Sequence, residues 1–317
     1  MLVLLSLLIS IFLSFFFLKK SLPLFNLYLI DLPNKRSSHK NLTPRGGGIV
    51  FVFAFILTAI IFKFYNPLYA IPIALIGLLD DYFSINRMSR FLIQFLTGVI
   101  LLFNLPLLEN LNNYSENYFI NTFIAIFCLV FFSAIINFIN FMDGIDGLIG
   151  GSFLVIFIFI LFYLSYPLSI AIGSIIGFLL LNWCPARIFM GDVGSTFLGA
   201  ILGILIFSAQ SFEDGFFIFS LSIPLIIDSV ITLLRRIYLK QNIFLPHRLH
   251  LYQRLALQRN WNHSKISLIY ISEITLVGLL GIFASSIGSL FGIIICLIIY
   301  FIIDKNFTKE FLKSLNS

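Results

Sequence analysis

Apolar runs long enough to cross a bilayer return along the whole chain, separated by short polar breaks, and this repetition decides what the chain can fold into. A helix needs about 20 apolar residues to span the hydrocarbon layer, with a range of roughly 17–25. Marking the runs gives spans near 1–18, 47–64, 67–79, 91–107, 119–139, 149–164, 167–182, 195–210, 215–234, 266–283 and 286–303. Those at 67–79 and 167–182 are short and read as tilted or broken, so the count of eleven is good to about one. The chain is 60% hydrophobic and 11% charged, with a mean hydropathy of +1.05. A soluble domain of 317 residues could not hide that much apolar surface behind a polar exterior. Lipid is the solvent that accepts it. The expected fold is therefore all-α, a polytopic membrane helix bundle. No internal repeat or linker divides it, so residues 1–317 form one domain. The N-terminus turns apolar at once, with no basic segment and no small-residue cleavage site, and reads as a first span rather than a removed signal.

The net charge of +6 would suit nucleic acid if it were gathered on one face. Instead the basic residues lie in short loops between apolar runs. Nineteen of the 20 Lys and Arg residues fall on one side of the predicted spans, Lys63 being the exception. By the positive-inside rule that side is cytoplasmic, with the N-terminus out and the C-terminus in. The three cysteines, Cys128, Cys184 and Cys296, show no metal spacing and read as small buried hydrophobes. The 39 Phe residues carry no stacking motif.

The inner loops hold more functional groups than topology requires. DLPNKRSSHKNLTPRGGG, from Asp31 to Gly48, combines Lys35, Arg36, His39 and Arg45 with three glycines. Arg grips phosphate oxygens, and glycine lets backbone N–H groups approach an anion. In GLLDDYFSINRMSR, Asp80 and Asp81 stand side by side at the lip of a low-dielectric medium, where two carboxylates need a cation or a basic partner; either one has a raised pKa and serves as a base, or both face a metal. In NFINFMDGIDGLIGG, Asn137, Asn140, Asp143 and Asp146 recur every three residues. That spacing shares a helix face, and the oxygens suit a hard cation such as Mg2+. In FMGDVGSTFLG, Asp192 is flanked by glycine and either reaches a metal or starts a helix as its cap. The longest inner loop, near 235–265, carries PHRLHLYQRLALQRNW. Its His247, Arg248, His250 and Arg254 form a basic patch suited to phosphate. A Zn2+ site there lacks a third ligand. Asp228, inside a span, is either functional or paired to a neighbouring helix. Metal-type acids and phosphate-type bases on one membrane face suit phosphoryl transfer from a soluble diphosphate to a membrane-bound acceptor.

Taken in order from Asp31 to Trp261, these loops resemble the polyprenyl-phosphate N-acetylhexosamine-1-phosphate transferases of glycosyltransferase family 4. The set DLPNKRSSH…TPRGGG, LLDD, NFMDGIDGL, MGDVGS and a His-containing final loop is highly specific. The resemblance implies a bundle of ten or eleven helices with a cytoplasmic catalytic cleft in the bacterial inner membrane. It implies transfer of sugar-1-phosphate from a UDP-N-acetylhexosamine to undecaprenyl phosphate, with release of UMP, to initiate a cell-surface polysaccharide. It casts Asp192 and Asn140 as ligands of Mg2+, for which Mn2+ substitutes. Asp80, Asp81, Asp143 and His247 are implied to be catalytic. Substrate binding is implied for Lys35, Arg36 and His39, for Asp146 against the uracil, and for Arg248 and His250 against the donor. A homodimer is left open. HRLHLYQR departs from the triple His of the peptidoglycan translocase, which argues against a MurNAc-pentapeptide donor and toward O-antigen and capsule initiators. That translocase is the alternative within the family. A membrane transporter is the alternative outside it, though it predicts ionisable groups at the midplane rather than at one face.

Overall fold

Every apolar run marked above becomes helical in the computed structural model, which describes residues 2–31, 42–105, 117–243, 245 and 247–308. Among the described residues the helices are α1 (Leu2–Tyr28), α2 (Ile49–Phe62), α3 (Ile71–Phe83), α4 (Arg87–Leu102), α5 (Tyr118–Phe141), α6 (Leu148–Tyr163), α7 (Ser169–Asn182), α8 (Gly191–Phe207), α9 (Phe212–Tyr238), α10 (Leu251–Arg259) and α11 (His263–Phe307). The short run at 67–79 begins as a 3-10 turn, Asn66–Ala70, and continues as α3. Two short strands, β1 (Ile30–Asp31) and β2 (Thr43–Pro44), pair antiparallel.

Local sequence sets the boundaries. The side chains of Asn86, Asn117, Ser211 and Asn262 accept backbone N–H groups at the starts of α4, α5, α9 and α11, as N-caps do. Ala284 and Ser285 leave the helical region, with Ser285 at φ 51°, and split α11 in two. The limbs then pack side by side: a Cβ placed on Gly292 would lie 3.0 Å from the Cα of Val277. The two apolar runs at 266–283 and 286–303 are these limbs.

Helices α1, α5, α9 and α11 are long and apolar enough to cross a bilayer, and α2, α6, α7 and α8 are shorter apolar helices. Phe12, Phe127 and Phe291 are among many large apolar side chains turned outward, where a soluble protein of this size would place polar ones. The chain is an integral membrane protein. Helix α1 packs on α7 as membrane helices do, through small residues and hydroxyls. Ser14 donates to the carbonyl of Ser174 at 2.8 Å, and Ser6 meets Ser169 at 2.7 Å.

Helix α8 is the axis of the bundle. Every side chain from Val193 to Phe207 is buried, as expected for a helix apolar on all faces. Glycines let its neighbours close on it. A Cβ on Gly77 of α3 would sit 2.7 Å from the carbonyl oxygen of Asp192, and one on Gly199 would sit 2.9 Å from the Cα of Ile136 on α5. The start of α8 is thereby wedged between the polar ends of α3 and α5, where the acidic motifs lie.

Candidate active site

The chain enters α8 through Gly191 at φ 74°. The first N–H groups of that helix have no intrahelical partner, and they find one on α3: Asp81 accepts from the backbone N–H of Asp192 at 2.9 Å and of Val193 at 3.0 Å. A carboxylate there also meets the positive end of the helix dipole. Asp80, one residue earlier and about 100° around the helix, faces elsewhere. Arg90 of α4 donates to Asp80 at 2.5 Å and to Asp192 at 3.1 Å. Asn140 of α5 donates from its amide nitrogen to Asp192 at 3.0 Å and to Ser195 at 2.9 Å.

Sequence spacing placed Asp143 and Asp146 on one stripe with Asn137 and Asn140. The glycines at 144 and 147 suggest that the helix ends there, and it does end at Phe141; Asp143 and Asp146 lie in the turn that follows, which enters α6 through Gly147 at φ 74°. Asn137 joins Gln94 at 2.9 Å. Asp143 stays with the acid cluster. Burial first, then the charges of Asp192 and Asp81, push its carboxyl up to about 8. Burial and Asp192 likewise raise Asp80 and Asp81, against the opposing pull of Arg90 on Asp80 and of Arg45 on Asp81.

Gly47 and Gly48 do not cradle an anion as expected. Their N–H groups donate to the carbonyls of Phe189 at 3.0 Å and Met190 at 2.9 Å. A Cβ on Gly48 would lie 2.2 Å from the Cα of Gly194. The glycines serve close packing against α8. Arg45 pairs with Asp31 at 2.6 Å, and Lys35, Arg36 and His39 lie outside the described residues.

Asp146 opens onto a different space. It borders a cavity of about 340 Å3 with Cys184, Phe189, Trp261 and His263. Its carboxylate accepts the N–H of Ala186 at 3.1 Å and lies 3.3 Å from Nδ1 of His263. Burial alone would raise its pKa, but the His263 contact and the Ala186 bond hold it below the usual carboxylate value.

The final loop divides its groups between two tasks. His250 is buried beside Asp228 at 3.6 Å, and Arg254 is buried among the carbonyl of Leu249, Thr308 and Asp304. Asp228 accepts the N–H groups of Leu251 at 2.8 Å and Tyr252 at 3.2 Å and the hydroxyl of Tyr270 at 2.9 Å. These three residues tie α9, α10 and α11 together. They do not form the open basic patch that spacing alone suggested. His247 borders a larger cavity, about 550 Å3, with Arg87, Arg90, Phe91, Phe141 and Leu233. Burial and the neighbouring His250 and Arg236 push its imidazole down to about 3, so it stands there uncharged.

A profile of the family described as Glycosyl transferase family 4 matches residues 64–210. The chain is 30% identical over 256 residues to a probable undecaprenyl-phosphate N-acetylglucosaminyl 1-phosphate transferase of Bacillus subtilis, covering 71% of this chain and 69% of that protein. The chain belongs to that family. Family 4 members aligned over more of its length include an undecaprenyl-phosphate alpha-N-acetylglucosaminyl 1-phosphate transferase of Thermotoga maritima, 29% identical over 90% of this chain and 93% of that protein. A phospho-N-acetylmuramoyl-pentapeptide-transferase of Dictyoglomus thermophilum is 32% identical over 73% and 80%. With this membership the chain is a transferase.

Against that background, the geometry brings Asp80, Asp81, Asn140, Asp143 and Asp192 together. It sets Asp146 apart in its own cavity and His247 in another. Reading the sequence for chemistry passed over Arg90 and His263. Arg90 counted only as a positive-inside charge, although it stands ten residues after Asp80 across one short turn. His263 had no local signal, because the contact with Asp146 spans 117 residues.

Proposed function

We propose that the chain transfers an N-acetylhexosamine-1-phosphate from a UDP-sugar to undecaprenyl phosphate and releases UMP, initiating an O-antigen- or capsule-type polysaccharide at the inner membrane of a bacterium. The observation that carries this reading is an acid cluster joined to two unlike cavities. Arg90 links Asp80 and Asp192 to the 550 Å3 cavity, whose wall includes Phe91, Phe141 and Leu233. The turn from Asp143 to Asp146 leads to the 340 Å3 cavity, whose lining mixes polar groups such as Asp146 and His263 with the rings of Phe189 and Trp261. A polyprenyl phosphate suits the first and a nucleoside the second.

The donor set fits a hard divalent cation. Asp192, Asp80 and Asp143 offer carboxylate oxygens and Asn140 an amide oxygen, with no sulfur or imidazole among them. Burial first, then the charge of Asp192, raises the carboxyls of Asp80 and Asp143, and Arg90 and Arg45 only partly oppose this. Mg2+ held by Asp192 and Asn140, or Mn2+ in its place, supplies charge neutralisation between two anionic substrates.

The chain's own residues supply position and proton handling. Arg90 draws the acceptor phosphate toward Asp80, whose raised pKa lets it take a proton near neutral pH. The acceptor oxygen then bonds to the sugar-bearing phosphorus as the bond to the bridging oxygen breaks, and UMP leaves with that oxygen. Asp81 positions Asp192 by fixing the start of α8, and Asp146 meets the uracil. Arg248 acts at the donor from the final loop, while His247 faces the acceptor cavity beside Arg90. His250 orders that loop through Asp228.

Eleven crossings, with the N-terminus out and this cleft facing the cytoplasm, follow from the Lys and Arg distribution. Reporter fusions in the 104–118 and 235–265 loops are expected on opposite sides, and the same side for both overturns the topology. A second reading, a MurNAc-pentapeptide donor, draws on the Dictyoglomus relative. Purified enzyme given undecaprenyl phosphate and a panel of UDP-sugars separates them. The mass of the lipid product names the donor, and no lipid product with any UDP-sugar would sink the transferase reading of the site.

A further inference from the structure

The cavity at Asp146 holds two further side chains, Cys184 and His263, that the transfer reaction does not call for. A carboxylate oxygen of Asp146, Sγ of Cys184 and a ring nitrogen of His263 all lie within 4.8 Å of one another. They come from three separate segments: the turn before α6, the loop after α7 and the start of α11. Cys184 is partly exposed, and all three border the same open cavity.

The contacts within this group conflict over one proton. The backbone N–H of Asp146 points at Nδ1 of His263 at 3.3 Å, which requires a lone pair on that nitrogen. Oδ2 of Asp146 lies 3.3 Å from the same Nδ1, which requires a proton there. Either tautomer leaves one contact unfavourable. A cation on the lone pair of Nδ1 makes the carboxylate contact favourable and gives up only the 3.3 Å approach of the backbone N–H. The donor set also differs in kind from the all-oxygen cluster at Asp192. A thiolate, an imidazole and a carboxylate select a softer, four-coordinate metal.

We propose that Asp146, Cys184 and His263 bind Zn2+, with the fourth position open to the cavity, and that this metal excludes the nucleoside of the donor. Tetrahedral Zn2+ with ordinary bond lengths holds such ligand atoms roughly 3.4–3.6 Å apart. The oxygen–nitrogen pair is already near that distance, and rotation of the Cys184 side chain brings in the sulfur. Binding replaces the thiol proton, which goes to solvent. The hydrogen bond from Cys184 to Oδ1 of Asn262, 3.1 Å long, is lost. Asn262 keeps its other partner, the N–H of Ser264, so the start of α11 stays capped. The metal-binding part stands by itself. The exclusion part rests on the reading of this cavity as the nucleoside site.

Cobalt reports on such a site because a thiolate ligand gives Co2+ an intense near-ultraviolet charge-transfer band. Full-length enzyme in detergent is expected to show that band on adding Co2+, and Zn2+ is expected to bleach it at one equivalent. Cys184→Ser should abolish the band while leaving the protein folded. His263→Gln should weaken Zn2+ binding by more than about 100-fold, beyond the loss of an outer-shell partner. Zn2+ should inhibit transfer competitively with the UDP-sugar, and Cys184→Ser should resist it. Absence of the band in the wild type, or its persistence in Cys184→Ser, overturns the site. A band that behaves as expected with Zn2+ inhibition indifferent to UDP-sugar concentration upholds the site and overturns the nucleoside reading of the cavity.

Discussion

Asp81 and Asp228 each reach from one helix to the first free N–H groups of another. Asp81, on α3, takes those of Asp192 and Val193 at the start of α8. Asp228, on α9, takes those of Leu251 and Tyr252 at the start of α10. Their surroundings then diverge. Around Asp228 the remaining neighbours are the hydroxyls of Tyr270 and Thr232, which donate to it, and the ring of His250 at 3.6 Å. Around Asp81 they are more acids, Asp192 and Asp143, countered by Arg45. A buried charge that is fully hydrogen-bonded fixes structure. One crowded by like charges stores an electrostatic imbalance that a substrate or cation relieves. The first centre holds the bundle and the second is where chemistry is expected.

The strongest test of this contrast is Asp192→Asn. Asparagine keeps the size and can still meet Asn140, but it removes the charge that faces a cation. Product formation is expected to fall at least about 100-fold, the loss of several kcal/mol of transition-state stabilisation, with an unchanged melting temperature. Near-normal turnover would reduce Asp192 to a residue of the first helical turn.

Asp228→Asn should do the reverse. The new amide turns a donor toward at least one of the donors that Asp228 now satisfies. Leaving buried donors unpaired costs about 2–4 kcal/mol. The variant should melt early in detergent, yet the folded fraction should keep near-wild-type turnover per molecule. A variant as stable as wild type but inactive would place Asp228 in the chemistry instead.

The same division runs through the final loop. Arg254→Ala removes a buried guanidinium that holds Asp304 and Thr308 and should lower stability. Arg248→Ala should leave stability and acceptor KM nearly unchanged while raising donor KM about 10-fold or more, a loss that Lys restores only in part because it lacks the planar fork. Loss of acceptor affinity in Arg248→Ala with donor KM intact would break this division.

How much of this was legible in the sequence depends on range. The helices were, because an apolar run of the right length is a local property. Even the break in α11 between the 266–283 and 286–303 runs was marked. The acid cluster was also legible, because Asp80 with Asp81, Asn140 with Asp143, and Asp192 sit in three short motifs. The partnerships were not. Asp80 and Asp81 looked like a pair and face different ways, because adjacent helix residues point about 100° apart. Asp143 and Asp146 looked like one stripe, but the helix stops short of them. His250 and Arg254 looked like an open patch, and nothing local says that Asp228 and Asp304 draw them inward.

The smallest effect expected is a coupling between pH and the divalent cation. Asp143 sits at about 8, above the ordinary carboxylate value near ~4. A folded-state pKa raised in this way means the fold holds the proton more tightly than the unfolded chain does. That contribution to stability is complete below about pH 4 and is lost as pH rises through about 8. A divalent cation in the cluster competes with the same proton and replaces its effect. Mg2+ should therefore raise the melting temperature little near pH 6 and by a few degrees near about pH 9, because more carboxylate is then unprotonated. Asp228 meets only donors, and the centre around it should add nothing to this pH dependence. The slope should survive in Arg248→Ala and shrink in Asp143→Asn, leaving the part that Asp80 and Asp81 contribute. A Mg2+ shift that is flat across this pH range in the wild type, or that is undiminished in Asp143→Asn, would show that Asp143 does not share its proton with the cation.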